Sequence, residues 1–440
     1  MLGWLFPRSP IDPLEKAWIE TRMLWLARKR GMHQGLDTQV LLPVADIVPD
    51  DYDGTLEKAG AILARMCESL KLSADEFELE LSKGSERNEL PADGPRNIIR
   101  LGADLMSNPY AVAAATARGL AVRQFSVQTL AGSAPSRMGW LVDLAAVCLG
   151  WGAVISHQWA EDAARKPSCG RGSGGCDQPR DVLPARMLGY ALALFVHGRG
   201  EKRLGRRHAV QEDAFVVCNR SLRYLHRTGD TLLTVDRVRR EPGDRTTEEL
   251  SRQLNAGSAS ARIAALWELR DPDRAREAME PVSRCLHHRL PAIREEAAKT
   301  ISLYGPAAQD ALPLLMDLLY DSRYSIRAAA AAAVGTLGNY SAETLAHVAS
   351  LLRDSNPYVV YHAAMAIRNF GAAAEDAIPD VFAALRAAVI RCDHELIDAL
   401  VRTLYTLDQD PTERVMAYFD DDPELCQQVA HIINETLTEE

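Results

Sequence analysis

A 33-residue internal period constrains this 440-residue chain more than any other feature. Three segments align without gaps: Ile293–Gly305, Ile326–Gly338 and Val359–Gly371. Their closing glycines fall 33 residues apart, and so do the pairs Ala297-Ala298, Ala330-Ala331 and Ala363-Ala364. One step back reaches Ala264-Ala265, and a looser fifth copy runs from Leu396 to Leu407. A fixed period of this length is the signature of a stacked repeat architecture, because one small unit cannot bury its apolar face alone.

Each unit predicts a helical hairpin. The aligned segment is a short amphipathic helix whose alanines permit close approach of a neighbour. Gly305, Gly338 and Gly371 stand where a helix end calls for a residue of positive φ. A second helix is expected at Ala311–Leu319 and at Ala377–Leu385, with Pro313 and Pro379 near its first turn, where a missing N–H costs little. A polar turn follows, Tyr320-Asp-Ser-Arg323 or Arg353-Asp-Ser-Asn-Pro357, before the next unit.

The motif Leu-Leu-x-Asp-Ser-x-x-x-Ile-Arg (Leu318 to Arg327) and the motif Gly-x-x-Ala-x-x-Ala-x-Pro (Gly305 to Pro313, Gly371 to Pro379) resemble HEAT repeats of the short, lyase-type variety. The resemblance covers about residues 256–440. It implies a superhelix of about five helix pairs whose concave face binds a protein, and it does not imply catalysis. By the same analogy the Ile293–Gly305 type of helix lines the concave side. Its outward positions are Glu296 and Lys299, then Ala329 and Ala332, then His362 and Met365, and these are the candidate partner-binding residues. Arg294 and Arg327 fit better as structural ties to Asp321 and Asp354 in the adjoining turns. The six alanines from Ala328 to Ala333 suit close helix packing.

Charge divides the chain. From residue 245 onward the net charge is −12, whereas the first 244 residues sum to +2. Much of the excess lies from Asp408 to Glu440, where ten acids accompany one base, Arg414. Such an ending suits the polar terminal unit a repeat array needs for solubility. An acidic chain is a poor general ligand for nucleic acid, whose phosphates call for clustered Lys and Arg, and no nucleic-acid partner is expected overall. The exception is Arg199, Lys202, Arg203, Arg206 and Arg207, a basic patch whose usual fate is a solvated face. No leader pattern opens the sequence, and the most apolar stretch, Trp140–Ile155, carries Asp143 and is about 16 residues long, short for a membrane span. A cytoplasmic, membrane-free protein is the expectation. Cys67, Cys148, Cys218, Cys285, Cys392 and Cys426 read as single buried thiols.

The overall expectation is a mainly α fold, with an N-terminal α+β domain over residues 1–236, a linker over 237–258 and repeats over 259–440. In the N-terminal part, helices are expected at Asp12–Arg30, Thr55–Leu70, Pro109–Phe125, Trp140–Trp159 and Leu183–His197, with strands around Phe77–Leu81 and Asn97–Leu101. This order, together with Pro49-Asp-Asp-Tyr-Asp-Gly-Thr55, Asn108-Pro-Tyr-Ala-Val-Ala-Ala-Ala-Thr-Ala117 and Leu141-Val-Asp-Leu144, resembles a zincin-type metallopeptidase domain spanning roughly residues 13–230. That family carries His-Glu-x-x-His, two zinc ligands and a general base on one helix face. Here the matching stretch is Arg118-Gly-Leu-Ala-Val122, and the third-ligand region is Met138-Gly-Trp140. The resemblance thus implies an inactive, metal-free module, with no catalytic residues, no metal and no cofactor. The alternative is an enzyme, of hydrolase or lyase type, with an unrecognised N-terminal site and the repeats as a substrate dock. Cys169 and Cys176, seven apart in a Gly/Ser-rich stretch downstream of His157, lack the spacing of a zinc knuckle. His394-Glu-Leu-Ile-Asp398 resembles a broken zinc motif but fits a repeat helix, and His287-His288 falls in a repeat turn.

Overall fold

A computed structural model describes residues 9–29, 41–82, 98–125, 138–157, 182–205, 209–240, 243–338, 341–408 and 412–418. The fold is mainly α, and its contacts divide it into two units, Met1–Asp244 and Arg245–Glu440. No helix among the described residues is long and apolar enough to cross a membrane.

The first unit contains helices α1 (Pro13–Lys29), α2 (Val44–Ile47), α3 (Leu56–Ser69), α4 (Pro109–Phe125), α5 (Met138–Cys148), α6 (152–157), α7 (Ala185–Gly198), α8 (Glu212–Thr228) and α9 (Val235–Arg239). Its described strands are β1 (Glu78–Ser82) and β2 (Ile98–Gly102), which pair in parallel with Glu78 opposite Ile98. Parallel strands need a connection of a dozen or more residues, which the separation of β1 and β2 in the sequence allows. Thr55 caps α3 by accepting from the Lys58 N–H at 3.3 Å. The helix expected over Trp140–Trp159 is broken. Gly150 adopts φ +87°, ends α5 and starts a new direction before α6, a conformation glycine reaches without steric cost.

Several charged side chains lie inside this unit. Lys16 and Glu20, one turn apart on α1, are about 1% and 0% exposed and pair at 3.1 Å. Glu20 also accepts from Tyr190 Oη of α7 at 2.7 Å and from the Leu232 N–H at 3.0 Å. Lys16 reaches Asp230 at 3.4 Å, and Asp230 in turn accepts from Tyr224 Oη of α8. Burial raises the Glu20 carboxyl above its ordinary value despite the adjacent Lys16, and burial beside Glu20 raises Tyr190 well above its own. This network fixes α1 against α7, α8 and the segment after α8, at positions an apolar core would also occupy.

The second unit alternates inner and outer helices. The inner helices, which carry the alanine motif, are α11 (Ala259–Glu268), α13 (Pro291–Tyr304), α15 (Tyr324–Thr336), α17 (Pro357–Phe370) and α19 (His394–Leu407). The outer ones are α10 (Thr247–Ala256), α12 (Ala275–Cys285), α14 (Leu312–Leu318), α16 (Ala342–Ser350), α18 (Ile378–Ile390) and α20 (Thr412–Tyr418). Helix α10 occupies 10 residues of the stretch 237–258 expected as a linker. It begins in a capping box, with Thr246 accepting from the Glu249 N–H at 3.2 Å and Glu249 accepting from the Thr246 N–H at 3.1 Å. Gly305, Gly338 and Gly371 have φ +54°, +74° and +67°. The outer helices after Gly305 and Gly371 are approached through short 3-10 turns, Gly305–Ala311 and Gly371–Ala377.

Alanine sets the spacing of the inner helices. Ala297, Ala298, Ala330, Ala331, Ala363 and Ala364 are fully buried. A Cβ added at Gly335 of α15 would lie 2.5 Å from Ala366 Cα of α17, so this contact requires glycine. Threonine hydroxyls stitch the same stack: Thr300 of α13 donates to the Leu266 carbonyl at 3.3 Å, and Thr403 of α19 to the Ala364 carbonyl at 3.2 Å.

Candidate protein-binding face

The period places chemically distinct residues side by side on the inner helices. Positions 295, 328, 361 and 394 are Glu, Ala, Tyr and His, positions 296, 329, 362 and 395 are Glu, Ala, His and Glu, and positions 299, 332, 365 and 398 are Lys, Ala, Met and Asp. Between α13 and α17, α15 carries Ser325, Ala328, Ala329 and Ala332 at the matching positions, of which Ser325 and Ala332 are part-exposed and Ala328 and Ala329 buried. The result is a low alanine floor with a charged wall on α13 and an aromatic wall on α17.

The charged wall is saturated internally. Glu296 accepts from Trp267 Nε1 at 2.5 Å and from Arg270 Nη2 at 2.6 Å, both from the preceding repeat. Lys299 contacts Glu295 at 2.5 Å and Glu296 at 3.2 Å. Burial disfavours the Lys299 charge, but Glu296 and Glu295 more than offset it and hold the ammonium above its ordinary value. The aromatic wall consists of Tyr358, Tyr361 and His362, with Met365 beside them. His362 meets Tyr358 edge-on at 4.5 Å and Tyr361 at 5.4 Å between ring centres. Tyr358 and Tyr324 are each 51% exposed and meet edge-on at 6.5 Å. Burial lowers His362 below the ordinary imidazole value, and the charge of Lys299 adds to it.

Of the six residues expected to face outward, Lys299, Ala332, His362 and Met365 are part-exposed. Two are corrected. Glu296 is 4% exposed and serves as an inter-repeat acceptor for Trp267 and Arg270, and Ala329 is 6% exposed, covered because its small side chain draws the neighbouring helices together. The sequence reading missed Tyr358 and Tyr361. The signal was available, since they share the 33-residue register of Ser325 and Ala328.

Arg294 and Arg327 tie repeats together. Arg294 Nη2 lies 2.8 Å from Asp321 Oδ2 and its Nη1 donates to the His288 carbonyl at 2.9 Å. Arg327 repeats this 33 residues on, with Asp354 Oδ2 at 2.7 Å and the Asp321 carbonyl at 2.8 Å. Asp321 and Asp354 do not cap their helices directly. Each Oδ1 accepts at 2.9 Å from the N–H two residues on, Arg323 and Asn356, which shapes the turn before the helix. Burial alone would raise the Asp354 carboxyl, but Arg327 and the Asn356 N–H hold it below its ordinary value.

The other sequence candidates resolve as follows. Arg118 of α4 and Asp143 of α5 are buried and form an ion pair at 3.0 Å, and Asp143 also accepts from the Leu183 N–H at 2.8 Å. A guanidinium therefore stands where the metallopeptidase resemblance would put the first imidazole ligand, and this donor set does not suit zinc. His157 of α6 is held between the Ala209 carbonyl at 2.6 Å and Gln211 at 3.0 Å, with Tyr110 stacked at 4.6 Å. His394 and Asp398 sit on α19, where Asp398 pairs with Arg402 at 2.9 Å. His287 is exposed, whereas His288 is half-buried and accepts from the Leu290 N–H at 3.1 Å. Cys67, Cys148, Cys218 and Cys285 are buried, and burial pushes the Cys67 and Cys285 thiols up to about 11. Cys392, expected inside, is exposed in a positive-φ turn. Cys169, Cys176, Cys426, Arg206 and Arg207 lie outside the described residues. Arg199 pairs with Glu201 at 2.9 Å, and Lys202 and Arg203 are exposed.

Comparison with known proteins agrees with the repeat geometry. Residues 247–335 match the family model of HEAT repeats, and this stretch is a HEAT-like α-solenoid. No curated protein matches the sequence. Among solved structures, a designed armadillo repeat protein matches 44% of this chain over 100% of its own at 20% identity and TM-score 0.32. One engineered protein matches 44% of this chain and 96% of its own at 18% identity and TM-score 0.34. A second engineered protein covers 97% of this chain and 99% of its own at 15% identity and TM-score 0.35.

Proposed function

We propose that the chain is a non-catalytic interaction protein whose solenoid grips a protein partner in the trough above α15. The observation that carries this reading is the alanine floor between the Lys299 wall and the wall of Tyr358, Tyr361, His362 and Met365. Small residues let α13, α15 and α17 pack directly on one another, and a repeat array of this kind offers its extended concave surface for binding. Exposed tyrosines give contact area at low entropic cost, and aromatic side chains are the usual anchors of protein interfaces. Lys299 is already neutralised by two acids, which suits orientation of a partner more than capture of a single counter-charge.

The N-terminal unit is, on this reading, a metal-free relative of metallopeptidase domains. The Arg118–Asp143 pair joins α4 to α5, and Arg118 stands where the resemblance would assign the first zinc ligand. Stoichiometric zinc in the purified chain would overturn this half of the proposal.

The partner half is tested by affinity capture with quantitative mass spectrometry. Ala332→Arg fills the floor with a long cation and should deplete the specific partner at least tenfold relative to the unaltered chain, with unchanged helix content. Glu343→Gln, on the outer helix α16 with a side chain 85% exposed, should leave capture unchanged. Equal capture by all three chains would contradict the trough as the binding site.

A further inference from the structure

The outer face of α8 carries cations that have no acidic partner among the described residues. Arg220, Arg223 and Arg227 are exposed and follow one another at helical spacings of three and four residues. Such residues share one face, about 5–6 Å apart. The preceding loop adds Lys202 and Arg203, also exposed. It is pinned along the same stretch of α8 at two points. The Leu204 N–H donates to Asn219 Oδ1 at 3.1 Å, and His226 Nε2 donates to the Glu201 carbonyl at 3.0 Å.

Among the described residues, none of these five side chains has an acidic partner. Arg223 Nε donates only to the Asn219 carbonyl of its own helix, at 3.3 Å. Of the acids beside the loop and the helix end, Glu201 pairs with Arg199 and Asp230 with Lys16 and Tyr224, and the acids of α8 itself, Glu212 and Asp213, lie in its first turn. Like charges one turn apart oppose helix formation, so the fold sustains this repulsion without internal relief.

We infer that this face binds the phosphate backbone of nucleic acid, without reading sequence. The chemistry favours that occupant. Four of the five cations are guanidinium groups, which meet phosphate oxygens through paired N–H donors. A membrane surface fits poorly, because an interfacial helix must offer an apolar face, and the apolar face of α8, formed by Ala214, Cys218, Leu222 and Leu225, is buried within the unit. A protein partner calls for a pocket that buries apolar anchors, and on this stripe Val216 is the large apolar residue that is exposed. A convex row of unpaired cations is sufficient for phosphate contacts, which hold and orient nucleic acid but carry no sequence information. The net acidity of the chain is no obstacle, since it resides after residue 244.

The test uses the full chain and a fluorescein-labelled 24-base-pair DNA duplex, read by anisotropy between 50 and 200 mM salt. Binding should weaken as salt rises, with a log–log slope of about −4 for four to five phosphate contacts. Arg220→Gln/Arg223→Gln/Arg227→Gln should lower affinity at 50 mM salt at least tenfold and shrink the slope by about 2–3. Lys202→Gln/Arg203→Gln, in the loop, should lower it less and serves if the triple variant melts early. Arg252→Gln/Arg284→Gln, two exposed arginines of the second unit, should change nothing. No binding at 50 mM salt, unchanged affinity of both patch variants, or binding to phosphatidylserine vesicles but not to the duplex would each overturn the inference.

Discussion

The two units place charge inside the protein in opposite ways. In the first, Lys16, Glu20, Tyr190 and Asp230 meet once, from segments about 170 to 210 residues apart in sequence. In the second, Arg294–Asp321 and Arg327–Asp354 are one interaction made twice, each spanning 27 residues. A network made once fails as a whole when one member is removed. A repeated rung fails locally, because each repeat touches only its neighbours.

The sharpest way to break this comparison is at Glu20. Glu20→Ala takes from Lys16 its closest carboxylate and from Tyr190 its buried acceptor, and removing one partner of a buried pair costs about 3–5 kcal/mol. A calorimetric trace should show the first unit melting far earlier while the second keeps its transition. Joint loss of both transitions would dissolve the distinction between the units.

Asp354→Ala removes one rung and should cost about 2–3 kcal/mol, the range for hydrogen bonds to charged groups. Hydrogen exchange should rise in α15 and α17 and stay unchanged in α11. The pH dependence follows from the direction of the shift. Asp354 is held below its ordinary carboxyl value, so its contribution is fully present above about pH 4 and disappears as pH falls through the lowered value. Arg327→Ala should therefore lessen the acid sensitivity of the solenoid, measured by far-UV circular dichroism between pH 2 and 5.

Smaller effects refine the picture. Gly335→Ala places a methyl group against Ala366. Overpacking of this kind should outweigh the gain in helix propensity and cost about 1–2 kcal/mol, read as a lower urea midpoint. Thr246→Ala removes the capping box of α10 and should cost about 1 kcal/mol, visible as faster exchange in that helix alone.

Legibility in the sequence followed periodicity. The inner helices, the glycine ends and the Arg–Asp ties could all be read because each appears several times in register, and a pattern seen thrice identifies its own exceptions. Register did not reveal depth: Glu296 and Lys299 share a helix face, yet only the fold shows that Trp267 and Arg270 reach over and cover Glu296. In the first unit the apolar stripes announced α1, α3 and α4. The break at Gly150 was hidden, because the same apolar run continues through it and only backbone geometry ends the helix. Arg118 was noticed as a missing ligand, but its partner Asp143 lies on another helix, and no spacing rule links them. The unpaired face of α8 escaped notice for a similar reason. The basic residues singled out in sequence were those at 199–207, and only the fold brings the loop bearing Lys202 and Arg203 to α8, which carries Arg220, Arg223 and Arg227.

The central claim, that the trough above α15 is the partner-binding surface, is tested most directly by a photo-crosslinking amino acid placed at Ala332 in the floor and, separately, at Glu343 on the outer side. The account predicts a discrete crosslinked partner from position 332 and none from 343. A partner crosslinked from 343 and not from 332 would contradict it.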